Sequence, residues 1–280
     1  MAISNFVSSA WSAKTYLALQ DQLVFGSPAV VNRNFEGEVR GDQILKINSV
    51  GAVTAHAYSG AVSFDALTDA QKVLTVNTKY YTAVAIDDVD ASQVHGINLM
   101  NDATRNAGYA MAKVIELFLA ALMQSEGTDA LAKLTDGANP SVDAAVQNLV
   151  DLWRALTEAD IPETDRWAIV PPWYYARLLQ STNFVSAATI NGPSAVLANA
   201  KVGRLAGFDI YVSNNCPASG TKDNTMFAGH PMAMTFAHGV EKTEAVRIEG
   251  AFADGIKSLA VWGAKTIYPT GIQYAVVSED

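Results

Sequence analysis

The chain carries a single cysteine, Cys216, in 280 residues. An internal disulfide is thereby excluded, and the cytosol is the default compartment for folding. Charge is scarce as well, at 17% of residues. The 19 lysines and arginines are spread thinly against 28 acidic residues, for a net charge of −9. No block of them makes the basic stripe with which a dedicated binder grips nucleic acid. If such a chain meets nucleic acid, it does so by enclosing it and not by gripping it; a thin acidic excess is equally the ordinary state of a soluble protein. No apolar run reaches membrane-spanning length, because Lys113, Glu116 and Glu126 bracket residues 118–123. The opening MAISNFVSSAW has no basic segment before an apolar run and does not read as a secretory signal.

Catalytic patterns are missing too. The four histidines, His56, His95, His230 and His238, have no zinc spacing with one another or with Cys216. There is no phosphate-binding glycine loop, no dinucleotide fingerprint and no nucleophile elbow. Cys216 precedes Pro217 in a turn, with no base beside it in sequence. One acidic cluster, Asp87-Asp88-Val89-Asp90, admits two readings. It is a divalent-metal or acid–base site, which makes the protein a metal-dependent enzyme, or it caps the positive start of a helix. The second is the simpler and the one expected. No catalytic residue, cofactor or metal ligand is assigned.

What the sequence does have is length of helix. Residues 92–124 repeat apolar positions at helical spacing, among them Ile97, Met100, Ala107, Met111, Val114, Phe118 and Leu122. Such a helix spans roughly 50 Å, more than a small rounded domain needs. A short amphipathic segment precedes it, with Trp11, Tyr16 and Leu23 near one face and a stop at Gly26-Ser27-Pro28. Strands are expected at 43–47, 53–58, 73–77 and 80–86, with one helical turn at 67–71, together a long two-stranded projection. An isolated hairpin is marginal in water, so another chain is expected to cover it. After the long helix come a helix at 141–159, a strand at 167–170, and a third helix opened by Pro171-Pro172. Residues 203–217 read as one strand ending in an Asn-Asn turn. Short strands follow at 226–228 and 232–236, then a pair at 246–252 and 258–267 turning through Ala253-Asp254-Gly255, and a last strand at 273–277. The fold class is α+β.

The order of these parts carries a resemblance. Ile161-Pro162-x-x-x-Arg166 leads into Trp167-Ala168-Ile169-Val170 and Pro171-Pro172. Gly207-Phe208-Asp209-Ile210-Tyr211-Val212, Gly229-His230-Pro231, Arg247-x-Glu249, Phe252-Ala253-Asp254-Gly255 and Trp262-Gly263-Ala264-Lys265 follow. Over essentially its whole length the chain resembles the major capsid proteins of tailed double-stranded DNA phages with the HK97-like fold. Trp11-Ser12-Ala13, Leu23-Val24-Phe25-Gly26 and residues 30–38 resemble the branch found in actinobacterial phages. The resemblance implies an N-arm at 1–34, an extended loop at 35–85, and a peripheral domain at 86–137 and 241–280 with the long helix as its spine. It implies an axial domain at 138–240. It further implies a structural protein, not an enzyme, assembled in the host cytoplasm into pentamers and hexamers of an icosahedral virion shell. Its partners are then copies of itself, a separate scaffolding protein, a portal and minor or decoration proteins, around double-stranded DNA and without a membrane. The projection and helix follow Met1 closely, which is why the scaffold is expected as a separate chain. The subunit contacts are expected at Trp11, Tyr16, Leu23, Phe25, Arg33, Phe35, Tyr58, Phe64 and Leu67. An encapsulin-like nanocompartment shell is the alternative of the same fold.

Overall fold

A computed structural model describes residues 24–36, 44–50, 56–57, 60, 69–87, 99–134, 139–181, 201–218 and 222–279. Two cores share one chain. The first lies between the long helix α1 (Leu99–Glu126) and a three-stranded antiparallel sheet, ordered β3 (Thr78–Asp87), β10 (Ala253–Thr266), β9 (Met234–Arg247), and takes in Trp167, Ile169, Phe227 and Ile272 from a second sheet. The part of the expected helix before Leu99 lies outside the described residues. Buried positions fall on one stripe, Thr104, Met111, Ala112, Ile115, Glu116, Leu119, Ala120 and Met123, the spacing of a helix face laid on a sheet. Toward its start the small residues Ala103, Thr104 and Ala107 of α1 line a small cavity with Thr82, Val84, Ile256 and Ser258. Further along, Trp262 takes over as the centre, stacked by Tyr80 at 5.2 Å and met edge-on by Phe118 at 6.4 Å. Residues 103–126 are apolar and long enough to cross a membrane by composition, contrary to the expectation from the sequence. Their most apolar side chains, Ile115, Leu119 and Met123, are spent in this core.

Glu126 ends α1, where a carboxylate opposes the helix dipole and no basic residue occupies the last turn. The compensation comes from β10. Lys265 Nζ donates to Glu126 Oε1, and the Thr266 N–H donates to Oε2 at 3.1 Å. Burial works to raise this carboxyl, yet those hydrogen bonds outweigh it and hold Glu126 below its ordinary range.

The second core belongs to a six-stranded mixed sheet. Its order is β4 (Thr128–Asp129), β11 (Ile272–Ser278), β8 (Asp223–Gly229), β5 (Trp167–Val170), β7 (Phe208–Val212), β6 (Lys201–Leu205). Helices α2 (Val142–Glu158) and α3 (Pro172–Gln180) cover it. Ser141 caps α2, its Oγ accepting the Ala144 N–H at 3.2 Å. The Tyr174 hydroxyl donates to the Ala145 carbonyl at 2.8 Å and ties α3 to α2. Arg166, fully buried, donates to the carbonyls of Pro162 at 2.8 Å, Trp153 at 3.3 Å and Ile161, and to Thr157 Oγ1 at 2.9 Å. One guanidinium thus reaches the Ile161 and Pro162 carbonyls of the exit turn and ties them to the last turns of α2.

Three expectations are corrected. Residues 203–217 form not one strand but the hairpin β6–β7, turned at Ala206 (φ 51°) and Gly207 (φ 81°). Two successive positive φ values match the twist of a tight hairpin, and the alanine hid the signal. The β9–β10 turn lies at Gly250 (φ 89°), while Ala253-Asp254-Gly255 pair as strand with Arg247 and Val246 opposite. Asp69, Ala70 and Gln71, expected in a helical turn, open strand β2 (Asp69–Thr75). β11 pairs along its length with β8 in the six-stranded sheet.

Candidate assembly surfaces

The projection is the antiparallel pair β1 (Ile44–Val50) and β2, in register from Ile44 opposite Thr75 to Val50 opposite Asp69. Its root is clamped. Leu74 and Val76 are buried with Ala237 and Val261, with Leu45 and Ile47 alongside. Gly263 of β10 allows the approach: a Cβ there would stand 2.3 Å from the Thr75 carbonyl oxygen and 2.9 Å from Val76 Cα. Lys72 Nζ adds a bond to the Ile267 carbonyl. On the opposite face of the pair, Ile44 and Val73 are exposed. β3, expected within the extended loop, instead pairs with β10 from Thr78 to Asp87.

Residues 24–36, expected as the end of an arm, lie against the body of their own protomer. Phe25, Val30 and Val31 are fully buried, with Phe25 edge-on to Phe227 at 5.7 Å. Asn32 adds to the edge of β9, its N–H donating to the Met234 carbonyl at 2.9 Å and its carbonyl accepting the Phe236 N–H at 3.0 Å. Arg33 pairs with Glu36 at 2.6 Å and lies over the Phe236 ring at 5.6 Å. The Val24 N–H donates to Glu116 Oε1 on α1.

Of the residues singled out for subunit contact, the structure therefore brings together Phe25, Arg33 and Phe35 on this segment. Phe25 has no surface left for a neighbour, being enclosed by its own chain. Arg33 and Phe35 remain half-buried. Trp11, Tyr16, Leu23, Tyr58, Phe64 and Leu67 lie outside the described residues, as do Asp88 and Asp90. Asp87 ends β3 opposite Ala253. Among the described residues no group of three acidic, histidine or cysteine side chains is placed to hold a metal. Cys216 is buried, and burial first, the Glu116 charge second, pushes its thiol up to about 12, far from a nucleophilic thiolate.

Sequence reasoning missed the most exposed apolar groups. Tyr81 on β3 is 76% exposed and Phe252, at the tip of the β9–β10 hairpin, is 80% exposed. Tyr81 shares the outer face of the three-stranded sheet with Leu259 and with an ion cluster in which Glu244 meets Lys257 at 2.8 Å and also Lys242. Strand alternation puts Tyr81 and Tyr80 on opposite faces, and the stack of Tyr80 on Trp262 assigns Tyr81 to the outer one. A cleft of about 370 Å³ opens between Pro28–Ala29, the starts of β5 and β7, and the His230–Met232 turn. Burial lowers the His230 imidazole, and its Nδ1 accepts the Met232 N–H at 3.2 Å.

A family model described as phage capsid protein matches residues 71–275. No curated protein matches the chain. Among solved structures the chain is similar to one from Mycobacterium phage Che8, at 29% identity over 90% of each chain, with a TM-score of 0.74. It is similar to the capsid of Cyanophage P-SCSP1u at 15% identity, over 86% of this chain and 85% of that one, TM-score 0.66. A virus-like particle from Pyrococcus furiosus matches at 16% identity, over 96% and 97%, TM-score 0.57. At the last two identities the likeness carries the fold alone.

Proposed function

The chain belongs to the phage capsid protein family, and we propose that its copies close, as pentamers and hexamers, into an icosahedral shell around double-stranded DNA. It is a major capsid protein, a structural protein that works through its surfaces. The nanocompartment reading gains nothing from the comparisons, since the matching family model is that of phage capsids. The observation that best supports closure into a shell is the uncovered apolar surface on projecting elements: Ile44 on the β1–β2 pair, Tyr81 on β3 and Phe252 on the β9–β10 tip. Groups of this size stay in water only at a cost of about 1.5–3 kcal/mol each relative to burial. Repeated head-to-tail contacts between copies close rings. The net charge of −9 suits a wall that encloses DNA without gripping it. A scaffolding protein, a portal and decoration proteins are its further partners by family analogy. In the same proposal residues 1–23 and the β1–β2 pair reach neighbouring subunits, with Arg33 and Phe35 at the margin of that contact.

Expression of the full chain, with sedimentation velocity and negative-stain microscopy, tests this. Capsomers or closed shells are expected, alone or with a scaffolding protein from the same phage. A monodisperse monomer at high concentration under both conditions would overturn it.

A further inference from the structure

β3 lies at the edge of the three-stranded sheet, and among the described residues no strand pairs with its second side. The sheets' other long edges are guarded. β9, across the same sheet, is joined at its start by Asn32, shifts register opposite Ala260–Trp262 and carries Lys242, Glu244 and Arg247. β6 has five residues and an irregular register at Lys201–Gly203. β3 has no such device. It runs ten residues in unbroken register with β10, without proline or glycine, and its only charges are Lys79 and Asp87. A long, regular, sparsely charged edge is a template for another strand. The β1–β2 pair does not take it. Its root packs on Val261 and Ala237, on the β10–β9 side of the sheet, and Lys72 reaches the Ile267 carbonyl just past β10.

The pattern of the strand says what comes. Lys79, Tyr81, Ala83, Ala85 and Asp87 share one face and are all exposed. Turned antiparallel to itself about Ala83, β3 sets Lys79 opposite Asp87 of the other copy, twice, and Tyr81 opposite Ala85. Beside Ala85, β10 carries Gly255, so the Tyr81 ring, 76% exposed in the protomer, meets small residues. On the inner face Tyr80, still 47% exposed, comes opposite Ile86, an aromatic–β-branched pair. A slip of two residues either way loses both charge pairs and moves Tyr81 opposite Ala83 or Asp87. Lys79 and Asp87 also interact within their own protomer, so their part is to fix register, while edge backbone groups and the tyrosines supply the contact. We propose that two copies join β3 to β3, antiparallel about Ala83, merging two three-stranded sheets across a two-fold axis. Such a contact is isologous and does not by itself close a pentamer or hexamer, so it links one ring to the next. That use rests on the shell reading; the pairing itself does not.

Cysteine cross-linking of the full chain tests it, because the native Cys216 is buried. At the two-fold the two Ala83 Cα atoms stand about 4.5–5.5 Å apart, within disulfide reach. Under a mild oxidant Ala83→Cys should give disulfide dimers on a non-reducing gel at least ~10-fold above Ala85→Cys. In this register two copies of residue 85, or two of residue 81, lie about 14 Å apart, too far to bridge. Tyr81→Cys and Ala85→Cys chains, expressed together, should cross-link where neither does alone. Lys79→Asp should lower the Ala83→Cys yield at least ~3-fold, and Asp87→Lys added to it should restore the yield. Shells in which Ala83→Cys stays uncross-linked would overturn the pairing and leave the shell reading standing. Ala83→Cys dimers from a chain that makes no shells would uphold the pairing and remove the shell. Monomers without cross-links would overturn both, and equal yields at residues 83 and 85 would overturn the register. Should Ala83→Cys fail to fold, the Tyr81→Cys and Ala85→Cys combination decides: no heterodimer overturns it.

Discussion

Single atoms decide several joints of this molecule. At Gly263 the atoms that a Cβ would meet are backbone, the Thr75 carbonyl and Val76 Cα, and backbone cannot swing aside as a side chain can. Gly263→Ala is therefore expected to destabilise the protomer by about 1–3 kcal/mol, read as a lower urea midpoint. Arg166 is a buried cation held by carbonyl oxygens in a fork that lysine does not reproduce. Arg166→Lys should cost about 3 kcal/mol or more, visible in the same titration. His238 sets a pH dependence. Its imidazole is pushed down to about 4 in the fold, against about 6.5 in the unfolded chain. Below that value the unfolded state binds the proton first, so stability is full at neutral pH and falls as pH drops toward the folded value. Between pH 7 and pH 5 the wild type should lose about 2 kcal/mol through this group, and His238→Gln should lack that share of the loss. Equal losses in the two proteins would show that another group titrates.

Among the elements, the segment 24–36 differs most from what an arm suggests. Its apolar residues Phe25, Val30 and Val31 belong to the protomer's core, so two truncations should part sharply. Removal of residues 1–22 spares those three side chains and should lower the thermal midpoint far less. Removal of residues 1–31 strips three buried side chains, each worth about 1.5–3 kcal/mol, and should leave a chain that does not fold cooperatively by calorimetry. The same comparison separates a role in assembly from a role in folding. Particles lost in the shorter truncation, with the midpoint unchanged, place the outer part of the arm in subunit contacts.

For the whole molecule, the hairpin tip offers the cleanest test of what copies do to each other. Phe252 is largely exposed and contributes little to its own protomer. Phe252→Asp should alter protomer stability by no more than about 0.5 kcal/mol. If copies bury this ring between them, the change should abolish or greatly reduce shells in negative-stain images. Shells of normal size and yield would show that the tip faces solvent in the assembly.

Local chemistry already determines much of this protein. The long apolar periodicity gives α1, Ser141 starts α2, Pro172 starts α3, and the uninterrupted apolar run at 167–170 gives a fully buried strand. These signals act within a few residues, so a linear reading reaches them, and their order carries the capsid resemblance. Pairing and burial are decided at longer range. Nothing near β11 says that it joins β8 and leaves β9 and β10 to another sheet, and nothing near Phe25 says that its own helix and Phe227 cover it. Glu116 reads in sequence as a charge interrupting an apolar stripe, but its three donors, the Val24 N–H, Ser213 and Asn215, come from about 90 to 100 residues away on either side. A side chain's partners across such distances exist only once the chain is folded, which is why the elements follow from sequence and the joints between them follow from the tertiary structure.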